Sequence, residues 1–366
     1  RSPPPPGFGT ISSGANPPAS AFWAEHRSSD PSIQPNKSRM SEFAWKGRPV
    51  LVTGGCSFIG SHLVDALVDR GASVRVADDL SSGRLENISP WIESGTVEML
   101  EVNLLDPTQA ERAVDGMSVV FHLAANHGGR GYIDMHQANC STNLALDGLM
   151  TRAAYRAGVD KFVFASSGCV YPEHIQRDPS EELYLTEDLV KPPYDADNLY
   201  GWAKLMSELT LQAYHRDYGF KCASLRYFTA YGERCLENHA VIAMIARAFV
   251  KQDPFIVWGT GEQIRNWTYV SDIVEGTVLA AEKVDDGTAI NLGTMERTRV
   301  IDAARMILDR TGVKARLQPD PSKPTGPYNR VCDNSLGKRL LGWEPKVPFS
   351  EGLDRTIKWY YESKQR

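Results

Sequence analysis

The sequence predicts an α/β fold: a parallel sheet with helices on both faces, followed by a smaller α/β lobe. Three observations carry that prediction. From Pro49 onward short apolar runs alternate with amphipathic helical segments, a glycine-rich turn joins the first run to the first helical stretch, and the alternation weakens beyond Tyr231. Val50 to Val52 reads as the first strand. Ile59, Leu63 and Leu67 then recur every four residues, and Gly71 stands where a helix would stop. Further strands are expected at Val74 to Ala77, Val97 to Val102, Val119 to Phe121 with Leu123, and Phe162 to Ala165. A sixth is expected at Ala223 to Tyr227, after a long helical stretch from Tyr200 to Tyr218. No internal repeat is present.

Composition narrows the function classes. The 366 residues, 42% hydrophobic, suffice to bury a full core, and the net charge of -5 without blocks of like charge argues against a nucleic-acid or membrane-surface binder. No run reaches the roughly 18 to 20 apolar residues of a membrane helix. Cys56, Cys140, Cys169, Cys222, Cys235 and Cys332 form no CxxC pair, which points to free thiols in a reducing cytoplasm and to no metal site. Residues 1–39, with Pro3 to Pro6 and no apolar stretch, read as a disordered leader or appended extension, and Met40 is a candidate natural start.

Thr53-Gly54-Gly55-Cys56-Ser57-Phe58-Ile59-Gly60 lies between the first strand and the first helix, where a tight turn aims backbone N–H groups and the positive helix end at a phosphate. That is the position of a dinucleotide site. Asp78 follows Gly54 by 24 residues, at the end of the second strand, where a carboxylate can accept from both adenosine ribose hydroxyls and so favours NAD over NADP. An ordinary turn aspartate is the alternative.

Tyr200 and Lys204 fall one helical turn apart, so the ammonium can lower the phenol's pKa and make it a general base. Tyr360 and Lys364 repeat that spacing near the C-terminus, but Tyr200 follows a buried strand ending in Ser166 and Ser167, and Ser167 can bond the same substrate hydroxyl. Cys169, two residues on, would reach the same pocket; as a thiolate it can abstract a carbon-bound proton, and otherwise it is a small buried hydrophobe.

TGGCSFIG resembles the TGGxGFIG signature of the extended short-chain dehydrogenase/reductase family, the NAD-dependent sugar epimerases and dehydratases, with Ser57 in place of the middle glycine. The segment Ser166 to Glu173 is similar to the SSACIYPE of GDP-mannose 3,5-epimerases, and Asn126 to Ile133 is similar to their DMGGMGFI loop. The resemblance spans about Val50 to Tyr361. It implies a Rossmann-type NAD-binding domain over 40–228 with a return segment near 266–292, and a mainly nucleotide-sugar-binding lobe over 229–366.

For the coenzyme it implies contacts from Gly54, Ser57, Phe58, Ile59, Gly60, Asp78, Asn103, Leu104, Ala124, Ala125, Tyr200 and Lys204. The catalytic set it implies is Ser167, Tyr200, Lys204 and Cys169, with His239 where those epimerases have a lysine; a helix-start histidine bonded to backbone is the plainer account of His239. Trp258 to Trp267 resembles the WGDGxQxR segment, whose arginine meets the nucleotide diphosphate, here Arg265. Further substrate contacts are expected from Gly129, Arg130, Gly168, Thr229, Asn238, Ala240, Arg247, Gln263 and Arg330. The implied activity is epimerisation of a GDP- or UDP-linked sugar through a 4-ketone, with proton exchange at C3, C5 or both, by a homodimer. The alternatives are 4-epimerisation of a UDP-sugar, 4,6-dehydration, which lacks its Asp-Glu pair at Gly168 and Cys169, and a silent NAD-binding regulator.

Overall fold

Seven strands in the order β7-β6-β5-β4-β1-β2-β3, all parallel, form the largest sheet among the described residues, beside three small sheets of two or three short strands. They are β1 (Pro49–Thr53), β2 (Ser73–Asp78), β3 (Val97–Glu101), β4 (Val119–His122), β5 (Lys161–Ser167), β6 (Cys222–Tyr227) and β7 (Asp286–Leu292). The computed structural model describes residues 43–365, so the expected leader over 1–39 lies outside the described residues; Ala44 onward forms one compact unit. The sequence-predicted strands sit within two residues of the observed ones. Leu123 lies just outside β4, its amide shared between the Thr53 carbonyl at 3.3 Å and the Thr53 hydroxyl at 3.1 Å.

A parallel sheet needs both faces covered, since each crossover returns a helix to it. Helices α1 (Phe58–Asp69), α2 (Pro107–Val114), α3 (Asn143–Arg156) and α4 (Asn198–Tyr218) provide these crossovers. Leu51, Val120, Phe162 and Phe164 of the sheet pack with Ala110 and Val114 of α2, Met150 and Ala154 of α3 and Leu211 of α4 in one core. The strand order reverses between β1 and β4. In open α/β sheets the crevice at that switch point, at the carboxyl ends of the strands, is where ligands bind.

A second core gathers beyond Tyr231. It joins α5 (Ala240–Phe249), α7 (Val300–Thr311) and α8 (Phe349–Lys364) around Ile242, Ile245, Phe255, Trp267, Ile307 and Leu353. Between α5 and α7 the chain returns to the sheet as α6 (Val270–Lys283) and β7, and α6 packs on α1. Among the described residues no helix is long and apolar enough to cross a membrane, and all six cysteines are free and buried.

Candidate active site

The glycine turn is built by sterics. Gly54 sits at φ +70°, and a Cβ there would come within 3.0 Å of the Ala124 nitrogen on the neighbouring strand end. A Cβ on Gly60 would lie 2.1 Å from the Gly54 oxygen, so only glycine lets α1 start this close to β1. Ser57 has an ordinary extended backbone, φ -87°, and donates its hydroxyl to the Gly54 oxygen at 2.6 Å. The expected local change in the turn therefore amounts to a side chain folded inward at the helix start. The turn is a cradle that a dinucleotide fits: free helix N-terminal amides in α1 and no side chain in the way at Gly54 and Gly60.

Asp78 is buried at the end of β2 and accepts from the Cys56 and Leu80 amides at 2.9 Å each, one on each carboxylate oxygen. Burial raises its pKa and those two bonds oppose the rise. Each oxygen keeps a lone pair for a ribose hydroxyl. Further along, Asn103 is exposed with its side-chain oxygen on the Leu105 amide, while Leu104 is buried in the sheet core. The Leu104 side chain enters the apolar layer because the chain after β3 dives back into it, which leaves the backbone at this position to face the coenzyme side.

Across the cleft the catalytic candidates converge. Ser167 ends β5 and its hydroxyl accepts from the Cys169 amide at 3.1 Å. Asn198 turns the chain at φ +52°, a left-handed conformation that asparagine tolerates better than most residues, and its side-chain oxygen takes the Tyr200 amide at 3.1 Å. A Cβ on Gly201 would fall 2.2 Å from the Cys169 oxygen, so this glycine lets α4 press Tyr200 against the cysteine turn.

The phenol is not lowered as the Tyr200-Lys204 spacing predicted. Burial, then Cys169 and Asp147, push Tyr200 well above the ordinary tyrosine value, and only the Ser167 hydroxyl opposes them. Lys204 lies 6.0 Å from the Tyr200 ring centroid and its ammonium faces the Asp147 carboxylate at 3.5 Å. The positive charge is shared with a buried partner that the helix spacing alone did not reveal.

Three arginines surround Cys169. Arg330 donates to its Sγ at 3.3 Å and pairs with Asp197 at 2.9 Å, and Arg130 pairs with the same Asp197 oxygen at 2.6 Å. The other oxygen of Asp197 is buried without a partner. Arg265 donates to the Ile264 and Thr325 carbonyls, and burial with Arg330 and Arg130 nearby pulls it down to about 9, still charged at neutral pH. Gln263, expected on the substrate, is buried; its side-chain nitrogen donates to the Trp258 carbonyl at 2.7 Å and its side-chain oxygen has no partner. Arg247, on α5, meets no carboxylate within 4 Å among the described residues.

His239 is the N-cap residue of α5, as a helix-start reading expects, yet its ring makes no capping bond. It faces His127 with ring centroids 6.1 Å apart. Burial in the cleft, with His127 second, pushes His239 down to about 4, so it is neutral at pH 7. The two loops lock where a Cβ on Gly129 would strike the Asn238 oxygen at 1.9 Å, and Ala240 follows on the exposed side. Thr229 lines a small cavity with His239, Tyr231 and Trp267, and Gly168 packs under Phe228. Sequence reasoning missed His127, Asp147 and Asp197.

The family model described as NAD dependent epimerase/dehydratase matches residues 50–293. UDP-glucuronic acid decarboxylase 2 of Arabidopsis thaliana is 30% identical over 314 residues, 86% of this chain and 68% of its own. GDP-mannose 3,5-epimerase 1 of Oryza sativa subsp. japonica is 30% identical over 318 residues, 86% of this chain and 82% of its own. UDP-glucuronic acid 4-epimerase from Bacillus cereus, solved with UDP-glucuronic acid and NAD, superimposes with a TM-score of 0.77 at 28% identity, covering 86% of this chain and 99% of that one.

Proposed function

Because this chain belongs to the NAD dependent epimerase/dehydratase family, we propose that it epimerises a nucleotide-activated sugar beside a transient 4-ketone, exchanging a proton at C3, C5 or both. NAD is the coenzyme, and when bound it takes up and returns the hydride at C4. As a phenolate, the form that the Lys204 ammonium and the positive nicotinamide ring of bound NAD would favour against the burial that raises it, Tyr200 would remove the proton of the C4 hydroxyl while Ser167 holds that oxygen. The ketone acidifies the neighbouring carbon-bound hydrogens. Cys169, its Sγ 3.3 Å from the Arg330 guanidinium, is the group placed to take one of them. His239, neutral with one ring N–H, completes the exchange on the opposite face.

The charge of the cleft suits the rest of the substrate. Arg130, Arg265 and Arg330 against Asp134 and Asp197 leave three minus two, or one, positive charge, and the three guanidinium forks are the donors that suit the oxygens of a nucleotide diphosphate. The observation that carries the reading is the Arg330 bond to Cys169, since 4-epimerisation of a UDP-sugar, the second reading, gives that thiol nothing to do. The second reading is favoured by His239, a neutral group where the similar epimerases have a charged one. A panel of GDP-, UDP-, dTDP- and ADP-sugars, UDP-glucuronate included, tests both. Conversion of one sugar to an isomer with NAD unconsumed is expected, and loss of carbon dioxide or water would overturn it. A second copy docked through α3 and α4, where Leu144, Leu199, Trp202 and Met206 are exposed, is part of the proposal, as is a reducing cytoplasm for the six thiols.

A further inference from the structure

Behind the catalytic pair runs a chain of buried polar groups that the reaction above does not use. Thr53 Oγ1 accepts from the Leu123 and Ala124 amides at 3.1 and 3.0 Å, which fills both of its lone pairs. Its own proton must then go to His122 Nδ1, 2.8 Å away. That assigns the ring proton of His122 to Nε2, which donates to Asp147 Oδ1 at 3.1 Å. The other oxygen of Asp147 faces Lys204 Nζ at 3.5 Å and Ser207 Oγ at 2.8 Å. Thr53, His122, Asp147 and Lys204 are each no more than 1% exposed.

We propose that Asp147 is a positioning residue for Lys204: it keeps the ammonium charged and aimed at the reaction, and through His122 and Thr53 it ties that charge to the Leu123-Ala124 loop beside the glycine turn. A fully buried ammonium without a counter-charge loses its proton, because desolvation penalises the charged form. The Phe164 ring, 4.5 Å from Nζ, is the other group that favours the cation. The remaining titratable neighbours do not replace the carboxylate. His122 is neutral, Lys204 disfavours charge on His127, and burial, with Cys169 and Asp147 adding to it, raises Tyr200. Desolvation lowers Lys204 and Asp147 opposes that fall, in line with the geometry.

This inference rests on the placement of Tyr200 and Lys204 and on no particular sugar, so it is read without turnover. The NAD-loaded protein, labelled with 13Cε lysine, is titrated by NMR, with the Lys204 resonance identified by its loss in Lys204→Arg. Asp147→Asn is expected to bring the Lys204 midpoint down by about 2 pH units or more, and Asp147→Glu to restore most of it. Ser207→Ala, which removes only one hydroxyl, is expected to shift the midpoint in the same direction by less, and serves if Asp147→Asn does not fold. NAD affinity, measured in parallel, should weaken with rising pH in Asp147→Asn and not in the parent. A Lys204 midpoint unmoved in the folded variants would overturn the proposal and leave Asp147 a structural residue; a sugar panel without turnover would count against the epimerase reading alone.

Discussion

The two walls of the cleft differ in how their polar groups are satisfied. On the coenzyme side every buried group from Thr53 through His122 and Asp147 to Lys204 has a partner, and Asp78 holds two amides. On the substrate side Arg265 lacks a carboxylate partner among the described residues, and the buried Asp197 Oδ1 and Gln263 Oε1 have no bond. A saturated wall is rigid before ligand arrives, whereas an unsaturated wall is completed by one. In the proposed reaction the coenzyme half would accordingly hold its ligand through the cycle, and the other half would exchange it.

Substitutions on the two walls should behave differently, and the largest effect falls where they meet. Tyr200→Phe should lower kcat by about 10²- to 10⁴-fold while NAD titrations stay nearly unchanged. A comparable loss of NAD affinity would mean that the phenol belongs to the coenzyme wall. Gly60→Ala forces a Cβ onto the Gly54 oxygen, so thermal melts should show destabilisation of about 1–3 kcal/mol together with weakened NAD binding. Arg265→Met should do the opposite in the ligand-free protein, stabilising it by about 0.5–2 kcal/mol because an uncompensated charge leaves the interior, while nucleotide-sugar binding by calorimetry falls. Destabilisation without loss of binding would show that this wall was already complete.

Acid should also act on the substrate wall. His239 is pushed from its ordinary 6.5 down to about 4 in the fold, so between these values the unfolded chain binds the extra proton. Stability from this group is full above about pH 6.5 and is lost as pH falls toward about 4; His239→Gln should flatten that part of the melting profile. Ser57→Gly should matter least, a few tenths of a kcal/mol, since the serine backbone is unstrained and its side chain makes no cap.

The coenzyme wall was largely legible in the sequence because its parts are local. Strand, turn and helix are consecutive around Gly54 and Gly60, Asp78 ends the next strand, and Tyr200 and Lys204 share one helix. The charge network was not, because Asp147 meets Lys204 across 57 residues and Arg130 meets Asp197 across 67. A signal for the first did exist: Asn143, Asp147 and Thr151 recur at four-residue spacing on the face of α3 that also carries buried Met150 and Ala154. A polar residue placed on a buried stripe requires a partner. For Asp197 and His127, in turns without period, no such signal is present. Motif position gives no side-chain direction: Gln263 donates to its own turn and the Leu104 side chain lies in the core.

The most direct test of the account is isomerisation of the accepted nucleotide sugar in deuterated water, comparing the parent with Cys169→Ala. The account predicts deuterium at C3, C5 or both in the parent's product and its loss in the variant, while exchange of the C4 hydride with bound NAD persists. Isomerised product without carbon-bound deuterium in the parent would contradict it and make the protein a 4-epimerase.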